Sequence, residues 1–231
     1  MKLSAALLFL VFFVGSCKKK EIETAKSPES SIKFSHIVML GNSITIHPPL
    51  SSVGWYGNWG MAASTRDSDY VHIIAKRLKA NVTPVNIANW EQHPESFEFA
   101  GLNKYFADSC DLVIIRLGEN VQNLKDFQLS FEKLVEYVLL KASGARVLIT
   151  GTFWKNDGVN AILSLVAKEH NIKFLALSYL DVPESKSSIG SPTYGEDGMV
   201  YSVINQGVAD HPGNEGMKKI AESILNAVTS N

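Results

Sequence analysis

The residues with the clearest chemical potential are a serine, an asparagine and a histidine, each beside the end of a predicted element. Ser43 follows the apolar run 37–40, so its hydroxyl is expected at the carboxyl end of a strand. Asn120 follows a second apolar run, and His211 precedes the last amphipathic helix. Ligands bind at this edge of an α/β sheet. A serine needs a base and oxyanion donors to act as a nucleophile, and His211 and Asn120 are the candidates.

Each of these residues also has a structural alternative. Ser43 can cap a helix that follows the turn, which is a common role for serine. Asn120 alone is typical of a turn, and His211 alone is typical of a surface loop. His47 is a rival base four residues after Ser43, but the two prolines that follow it make a regular helix there unfavourable.

The surrounding chain alternates between strand and helix patterns. Two of the apolar runs, 112–115 and 147–149, are continuous, as expected for strands that are buried on both faces. Helical periodicity occupies the intervals, with cap candidates Asp67, Ser68 and Asp157, and with Gly144 ending the longest stripe. This alternation predicts an α/β domain with a parallel sheet covered on both faces and right-handed crossovers. The predicted strands are 34–40, 82–88, 112–117, 146–152 and 172–177.

Three motifs resemble those of the SGNH hydrolases, the GDSL-like esterase family. They are Gly-Asn-Ser-Ile at 41–44, Gly-Glu-Asn-Val at 118–121 and Val-Ala-Asp-His-Pro at 208–212, and the similarity covers roughly residues 33–227. The resemblance implies a flavodoxin-like three-layer α/β/α fold with a five-stranded parallel sheet. It implies that Ser43 is the nucleophile, that His211 is the general base, and that Ser43 and Asn120 form the oxyanion hole. Asn42 is expected to contact substrate.

The chain departs from the family pattern at two positions. The acidic third catalytic member would fall at residue 208, which is Val208. Asp210 is the nearest carboxylate, Glu119 and Glu91 are alternatives, and a backbone carbonyl is a fourth way to orient the histidine ring. The second departure is Glu91 itself, which stands where the family often has a glycine that donates to the oxyanion.

An aromatic segment follows the serine motif. Residues 54–61 contain three aromatic residues and three glycines, and such a loop can form a flat wall for a sugar ring or pack its own rings over the sheet edge. We expect one ring to face substrate and the others to be buried. Trp55, Trp59 and Trp90 are the candidate substrate contacts, and Trp154 also follows a strand at the carboxyl edge.

The N-terminus has the pattern of a targeting segment. Lys2 precedes an apolar run too short to span a bilayer, and small residues stand directly before Cys17, which resembles a bacterial lipobox. We therefore predict a lipoprotein signal peptide at 1–16, lipidation of Cys17, a tether at 17–31 and a hydrolase domain at 32–231. Ordinary signal cleavage near Ser16 is the alternative. The predicted location is the bacterial cell envelope, on its periplasmic or surface face.

Composition narrows the function classes. The 231 residues are 45% hydrophobic and carry a formal net charge of −1, which suits one globular domain and argues against nucleic acid as a partner. The remaining histidines lack metal-ligand spacing, so no metal and no cofactor are expected. The predicted function is hydrolysis of an ester, first of all an O-acetyl group on a carbohydrate. The alternatives are a lipid-ester (lysophospholipase-like) hydrolase and a glycan-binding lipoprotein without activity.

Overall fold

A single parallel sheet organises the part of the chain that the computed structural model describes, residues 33–106 and 110–230. Across these residues, the sheet has five strands in the order β2-β1-β3-β4-β5. The prediction of a five-stranded parallel sheet is confirmed. The strands are β1 (His36–Gly41), β2 (Asn81–Asn86), β3 (Leu112–Arg116), β4 (Arg146–Thr150) and β5 (Lys173–Leu175).

Helices cover both faces of this sheet. On one face α1 and α6 pack against side chains that include Met39 and Ile114, and on the other α3 and α4 pack against Val38 and Ile115. The predicted three-layer α/β/α architecture is therefore confirmed. The helices are α1 (Tyr70–Leu78), α2 (Ala88–Gln92), α3 (Phe127–Lys141), α4 (Asp157–Glu169), α5 (Gln206–Ala209) and α6 (Asn214–Thr229).

The strands follow from runs of apolar residues. Side chains alternate across a strand, so a run in which every residue is apolar supplies both faces of a covered sheet. In β3 all five residues are buried. β2 lies at the edge of the sheet, where Pro84 is tolerated because the lost N–H can face away from β1.

The second strand ends earlier than predicted. The Asn86 side chain accepts a hydrogen bond from the Ala88 N–H at 2.9 Å and donates to the Ile46 carbonyl at 2.7 Å. This local bonding competes with the strand ladder and turns the chain into α2. The Asn86 turn is one of the features that place α2 beside the serine motif.

Helix ends also differ in detail from the sequence prediction. α1 is capped by Asp69, whose side chain accepts from the His72 N–H, while Asp67 and Ser68 lie in a short 3₁₀ turn before it. α4 begins at Asp157, and its cap is Asn156 instead of the expected Asp157. Gly144 adopts a positive φ of 91°, two residues past the C-cap of α3, so it belongs to the turn into β4.

A small antiparallel hairpin lies outside the main sheet and was not predicted. Its strands are β6 (Pro192–Tyr194) and β7 (Val200–Ser202), and Tyr201 stacks on Tyr56 with ring centroids 3.8 Å apart. Among the described residues, no helix has the length and apolar character that a membrane crossing requires. The predicted signal peptide, tether and Cys17 lie outside the described residues.

Candidate active site

Ser43 lies in a tight turn directly after β1. The Asn42 carbonyl accepts from the Thr45 N–H at 2.9 Å, and the Asn42 Oδ1 accepts from the Ile44 N–H at 3.2 Å. Gly41 is required at the start of this turn because a Cβ there would overlap Thr45 Oγ1. Residues 44–50, directly after Ser43, contain no helix, so the alternative role of Ser43 as a helix cap does not apply. The turn presents the hydroxyl at the carboxyl edge of the sheet.

Ser43 and His211 meet although 168 residues separate them. Ser43 Oγ lies 2.9 Å from His211 Nε2, as the sequence analysis predicted. On the other side of the ring, Nδ1 lies 2.6 Å from the Gly207 carbonyl oxygen. Because a carbonyl can only accept, Nδ1 carries the proton and Nε2 is free to accept from the serine. The fold therefore selects the tautomer that a general base needs.

Asp210, one of the four candidates for orienting His211, does not contact the histidine ring in this structure. The Asp210 Oδ1 accepts a hydrogen bond from Gln206 Nε2 at 2.9 Å. Gln206 lies one helical turn before Asp210, so this carboxylate does not bond the histidine ring. Asp210 ends the short helix α5, whereas Gly207 lies four residues before His211 and faces its Nδ1. A backbone carbonyl, one of the alternatives that the sequence left open, therefore faces the histidine where an acid was expected.

Trp154, which the sequence placed only near the cleft wall, contacts both His211 and the backbone beside it. Its Nε1–H donates to the Asp210 carbonyl at 3.0 Å. Its ring meets the His211 imidazole edge-on, with centroids 5.0 Å apart and planes at 89°. The tryptophan thus packs against the base and bonds the backbone beside it. The only sequence signal was its place just after a strand at the carboxyl edge.

Burial controls the charge state of the candidate base. Desolvation lowers the pKa of His211 from 6.5 to about 4, against opposing contributions from the Gly207 carbonyl and the Glu119 carboxylate. The imidazole is therefore neutral at pH 7. A neutral imidazole can accept the Ser43 proton, and the imidazolium it forms would face the negative charge of Glu119.

Asn120 lines the same cleft, and its side chain is held by a hydrogen bond to the buried Glu91. Its Nδ2 donates one hydrogen to Glu91 Oε2 at 2.5 Å, which leaves the second hydrogen for a ligand. Among the described residues, the Ser43 backbone N–H has no hydrogen-bond acceptor. These two donors are the predicted oxyanion pair. Glu91 is buried, and its carboxylate accepts from Asn120.

The prediction that Asn42 contacts substrate is wrong, because its side chain is fully buried. Its Nδ2 donates to Glu119 Oε2 at 2.6 Å and to Glu91 Oε1 at 3.2 Å, and its Oδ1 accepts from Arg116 Nη1 at 3.2 Å. Arg116 Nη2 also pairs with Glu119 Oε1 at 2.6 Å. Asn42 is therefore the centre of a buried polar network beneath Ser43.

The predicted tryptophan wall is also wrong. Trp55, Trp59 and Trp90 are exposed by 0%, 7% and 1% respectively, so none presents a face to a ligand. Trp55 and Trp59 pack edge to face with each other and donate to the His47 and Ala63 carbonyls. The loop packs its own rings over the sheet edge, because burying two large rings and satisfying both indole N–H groups is favourable. The two tryptophans of residues 54–61 therefore pack within the loop and do not form a wall for a sugar ring.

A cleft of about 580 Å³ surrounds the Ser43 hydroxyl. His47 belongs to its wall, but its Nδ1 bonds the Pro48 carbonyl at 2.6 Å and the serine hydroxyl bonds His211 instead. The rival base is therefore not the partner of Ser43. The lining residues are Ser43, His47, Pro48, Met61, Asn86, Ala88, Asn89, Gln92, Asn120 and His211.

The fold resembles those of solved carbohydrate esterases. A family two carbohydrate esterase from Clostridium thermocellum in complex with cellohexaose has a TM-score of 0.51 at 17% identity, covering 84% of this chain and 63% of its own. A two-domain esterase active on acetylated mannans, crystallised with mannopentaose, has a TM-score of 0.53 at 17% identity, covering 85% and 51%. An acetyl-xylooligosaccharide esterase from Geobacillus has a TM-score of 0.51 at 15% sequence identity, and the match covers 85% of this chain and 95% of the esterase.

These similarities establish the fold class. The chain has the flavodoxin-like α/β/α fold that the SGNH resemblance implied, and it spans 63% and 51% of the lengths of the first two structures. No protein-family model and no curated protein matches the sequence.

Proposed function

We propose that this chain is a serine ester hydrolase of the SGNH type. The observation that carries the proposal is the hydrogen-bonded pair of Ser43 Oγ and His211 Nε2 at 2.9 Å, with Nδ1 held on the Gly207 carbonyl. A hydroxyl, a base of the correct tautomer and two free N–H donors at the mouth of one cleft are the parts that acyl transfer needs.

The proposed reaction uses each part in turn. Ser43 Oγ attacks the ester carbonyl carbon as its proton passes to His211 Nε2, and the negative oxygen is held by Asn120 Nδ2 and the Ser43 N–H. His211 then returns the proton to the leaving alcohol, which gives an acyl-enzyme. A water gives a proton to His211 and attacks the acyl carbon, and His211 reprotonates Ser43 as the acid departs.

The proposed substrate is an O-acetyl group on a carbohydrate. Three of the similar structures are described as acting on acetylated glycans or as holding oligosaccharides, which supports this substrate class. The cleft itself supports it through the exposed side chains of Asn89 and Gln92, whose amides can bond sugar hydroxyls.

Hydrolysis of p-nitrophenyl acetate by the wild type and by Ser43→Ala tests the catalytic proposal. Removing the nucleophile should reduce kcat by about 10⁴-fold or more, with no change in the unfolding midpoint because no core volume is lost. Equal rates for both proteins, or no hydrolysis by either, would favour the glycan-binding alternative. Acetate release from a panel of acetylated xylan and mannan oligosaccharides, with a lysophospholipid as a second arm, separates carbohydrate from lipid esters.

We also propose that Cys17 carries lipid and holds the domain at the bacterial cell envelope, on its periplasmic or surface face. The support is the short apolar run followed by small residues and Cys17. The Cys17→Ser protein should leave the membrane fraction, whereas the wild type should remain there after a high-salt wash. Retention of Cys17→Ser under the same wash would contradict the anchor.

A further inference from the structure

Glu91 replaces the expected glycine with an acceptor that collects three donors. Its carboxylate accepts from the Gly118 N–H, from Asn120 Nδ2 at 2.5 Å and from Asn42 Nδ2 at 3.2 Å. Gly118 and Asn120 belong to the oxyanion motif after β3, while Asn42 directly precedes Ser43. One buried side chain therefore ties the oxyanion motif to the nucleophile turn.

Asn42 bridges two carboxylates that would otherwise face each other across it. Its Nδ2 donates to Glu119 Oε2 at 2.6 Å as well as to Glu91, so both hydrogens of the amide are used. An acid at position 42 would place three buried carboxylates together with Arg116 as the positive charge among them. Buried acceptors left facing one another are costly, because neither can regain its bonds to water.

We propose that Glu91 is a positioning residue of the oxyanion hole, and that residue 42 is an amide because it must donate to both Glu91 and Glu119. The asparagine of the serine motif and the glutamate that stands in place of a glycine are then one coupled change. The first half of the proposal rests on the proposed function. The charged group that acts on Glu91 is Glu119, which in turn pairs with Arg116 Nη2 at 2.6 Å.

The positioning role is tested by Glu91→Gln, with Glu95→Gln as the matched control. In Glu91→Gln one carboxylate oxygen becomes an NH₂ group, which cannot accept from Asn42, Asn120 or Gly118. The Asn120 amide should therefore lose its fixed orientation. We expect kcat on p-nitrophenyl acetate to fall by about 10²-fold, with KM within about threefold of wild type. Glu95 is exposed on the next turn, so its variant should match wild type. A folded Glu91→Gln protein with kcat within about twofold of wild type would overturn the positioning role.

The amide requirement is tested by urea unfolding and needs no activity. Asn42→Asp should unfold at a lower urea concentration than wild type near neutral pH. Adding Glu91→Gln and Glu119→Gln supplies N–H donors on both sides of the new carboxylate, and Arg116 then has one charge partner. The triple variant should recover most of the lost midpoint. If it is no more stable than Asn42→Asp alone, the coupling is wrong.

The two failures remain distinguishable. If Ser43→Ala and wild type hydrolyse the ester equally, the proposed function fails, and the urea comparison still decides whether Asn42 must be an amide. If Glu91→Gln does not fold, the triple variant decides the proposal: recovery of its midpoint supports the network, and no recovery overturns it.

Discussion

The two sides of the cleft hold their functional groups by opposite means. On the His211 side the partners are neutral: the Gly207 carbonyl at 2.6 Å from Nδ1, and the Trp154 indole against the ring. On the Asn120 side the support is ionisable, because Asn120 donates to Glu91 and the Glu91 network includes the buried Glu119–Arg116 pair. One side relies on backbone geometry and packing, and the other on a buried network of ionisable and amide side chains.

This difference determines what each side tolerates. A carbonyl cannot lose its acceptor capacity or change charge, so the orientation of His211 should be insensitive to pH. A network of carboxylates and amides works only while every donor meets an acceptor, so a single exchange should disturb several bonds at once. Changes to the base itself should remain the most damaging of all.

The largest expected effect is the loss of the base. His211→Ala removes the acceptor of the Ser43 proton, and kcat should fall by about 10⁴-fold or more, to a level similar to that of Ser43→Ala. His47→Ala is the matched control, since His47 lines the same cleft without bonding Ser43, and we expect a change below about fivefold. A larger loss in His47→Ala than in His211→Ala would reverse the assignment of the base.

The second prediction concerns the pH dependence of stability, which should separate the two sides. Burial, then repulsion from Glu119, raises the pKa of Glu91 from 4.5 to about 7, so the folded protein holds a proton that the unfolded chain releases in this range. The contribution of Glu91 to stability is therefore present below pH 4.5 and is lost as pH rises through about 7.

The free energy of unfolding of the wild type, relative to Glu91→Gln, should fall by on the order of 2–3 kcal/mol between about pH 4.5 and about pH 8. The contribution of His211 to the free energy of unfolding should change with pH in the opposite direction. Because burial lowers the pKa of His211 from 6.5 to about 4, its contribution to stability is present above pH 6.5 and is lost as the pH falls towards 4. Urea unfolding of the wild type, Glu91→Gln and His211→Ala at several pH values measures both slopes. Parallel curves for wild type and Glu91→Gln would show that Glu91 ionises as in water.

A smaller effect is expected from the packing of the base. Trp154→Phe keeps an aromatic ring beside His211 but loses the Nε1–H bond to the Asp210 carbonyl, and kcat should fall by about tenfold. Trp59→Phe is matched in chemistry, because it loses an Nε1–H bond of equal length, to Ala63. It should lower the unfolding midpoint without lowering kcat. Equal kcat losses in both variants would indicate a general loss of rigidity instead.

The sequence predicted the sheet from local patterns, and it predicted the Ser43–His211 pair from motifs that resemble those of the SGNH hydrolases. Continuous apolar runs mark β1 and β3, and the polar motifs follow their ends. It did not predict what touches His211 Nδ1, because every residue has a carbonyl and no side-chain pattern reports which one faces the ring. The burial of Trp55 and Trp59 was missed for a similar reason, since a Gly- and aromatic-rich loop has the same composition whether its rings face solvent or one another.

The smallest expected effect is at Asp210, the carboxylate nearest to His211 in the sequence, whose side chain bonds Gln206 and not the histidine ring. Its Oδ1 accepts from Gln206 Nε2, and an asparagine retains an oxygen at that position. The Asp210 carbonyl that Trp154 bonds is unchanged by the substitution. Asp210→Asn should therefore change kcat by less than about threefold, or roughly 0.7 kcal/mol, whereas losing the acid of a true triad costs about 10⁴-fold. Kinetics of Asp210→Asn and His211→Ala on one ester make the comparison. A loss in Asp210→Asn as large as that in His211→Ala would mean that Asp210 replaces the Gly207 carbonyl when substrate binds.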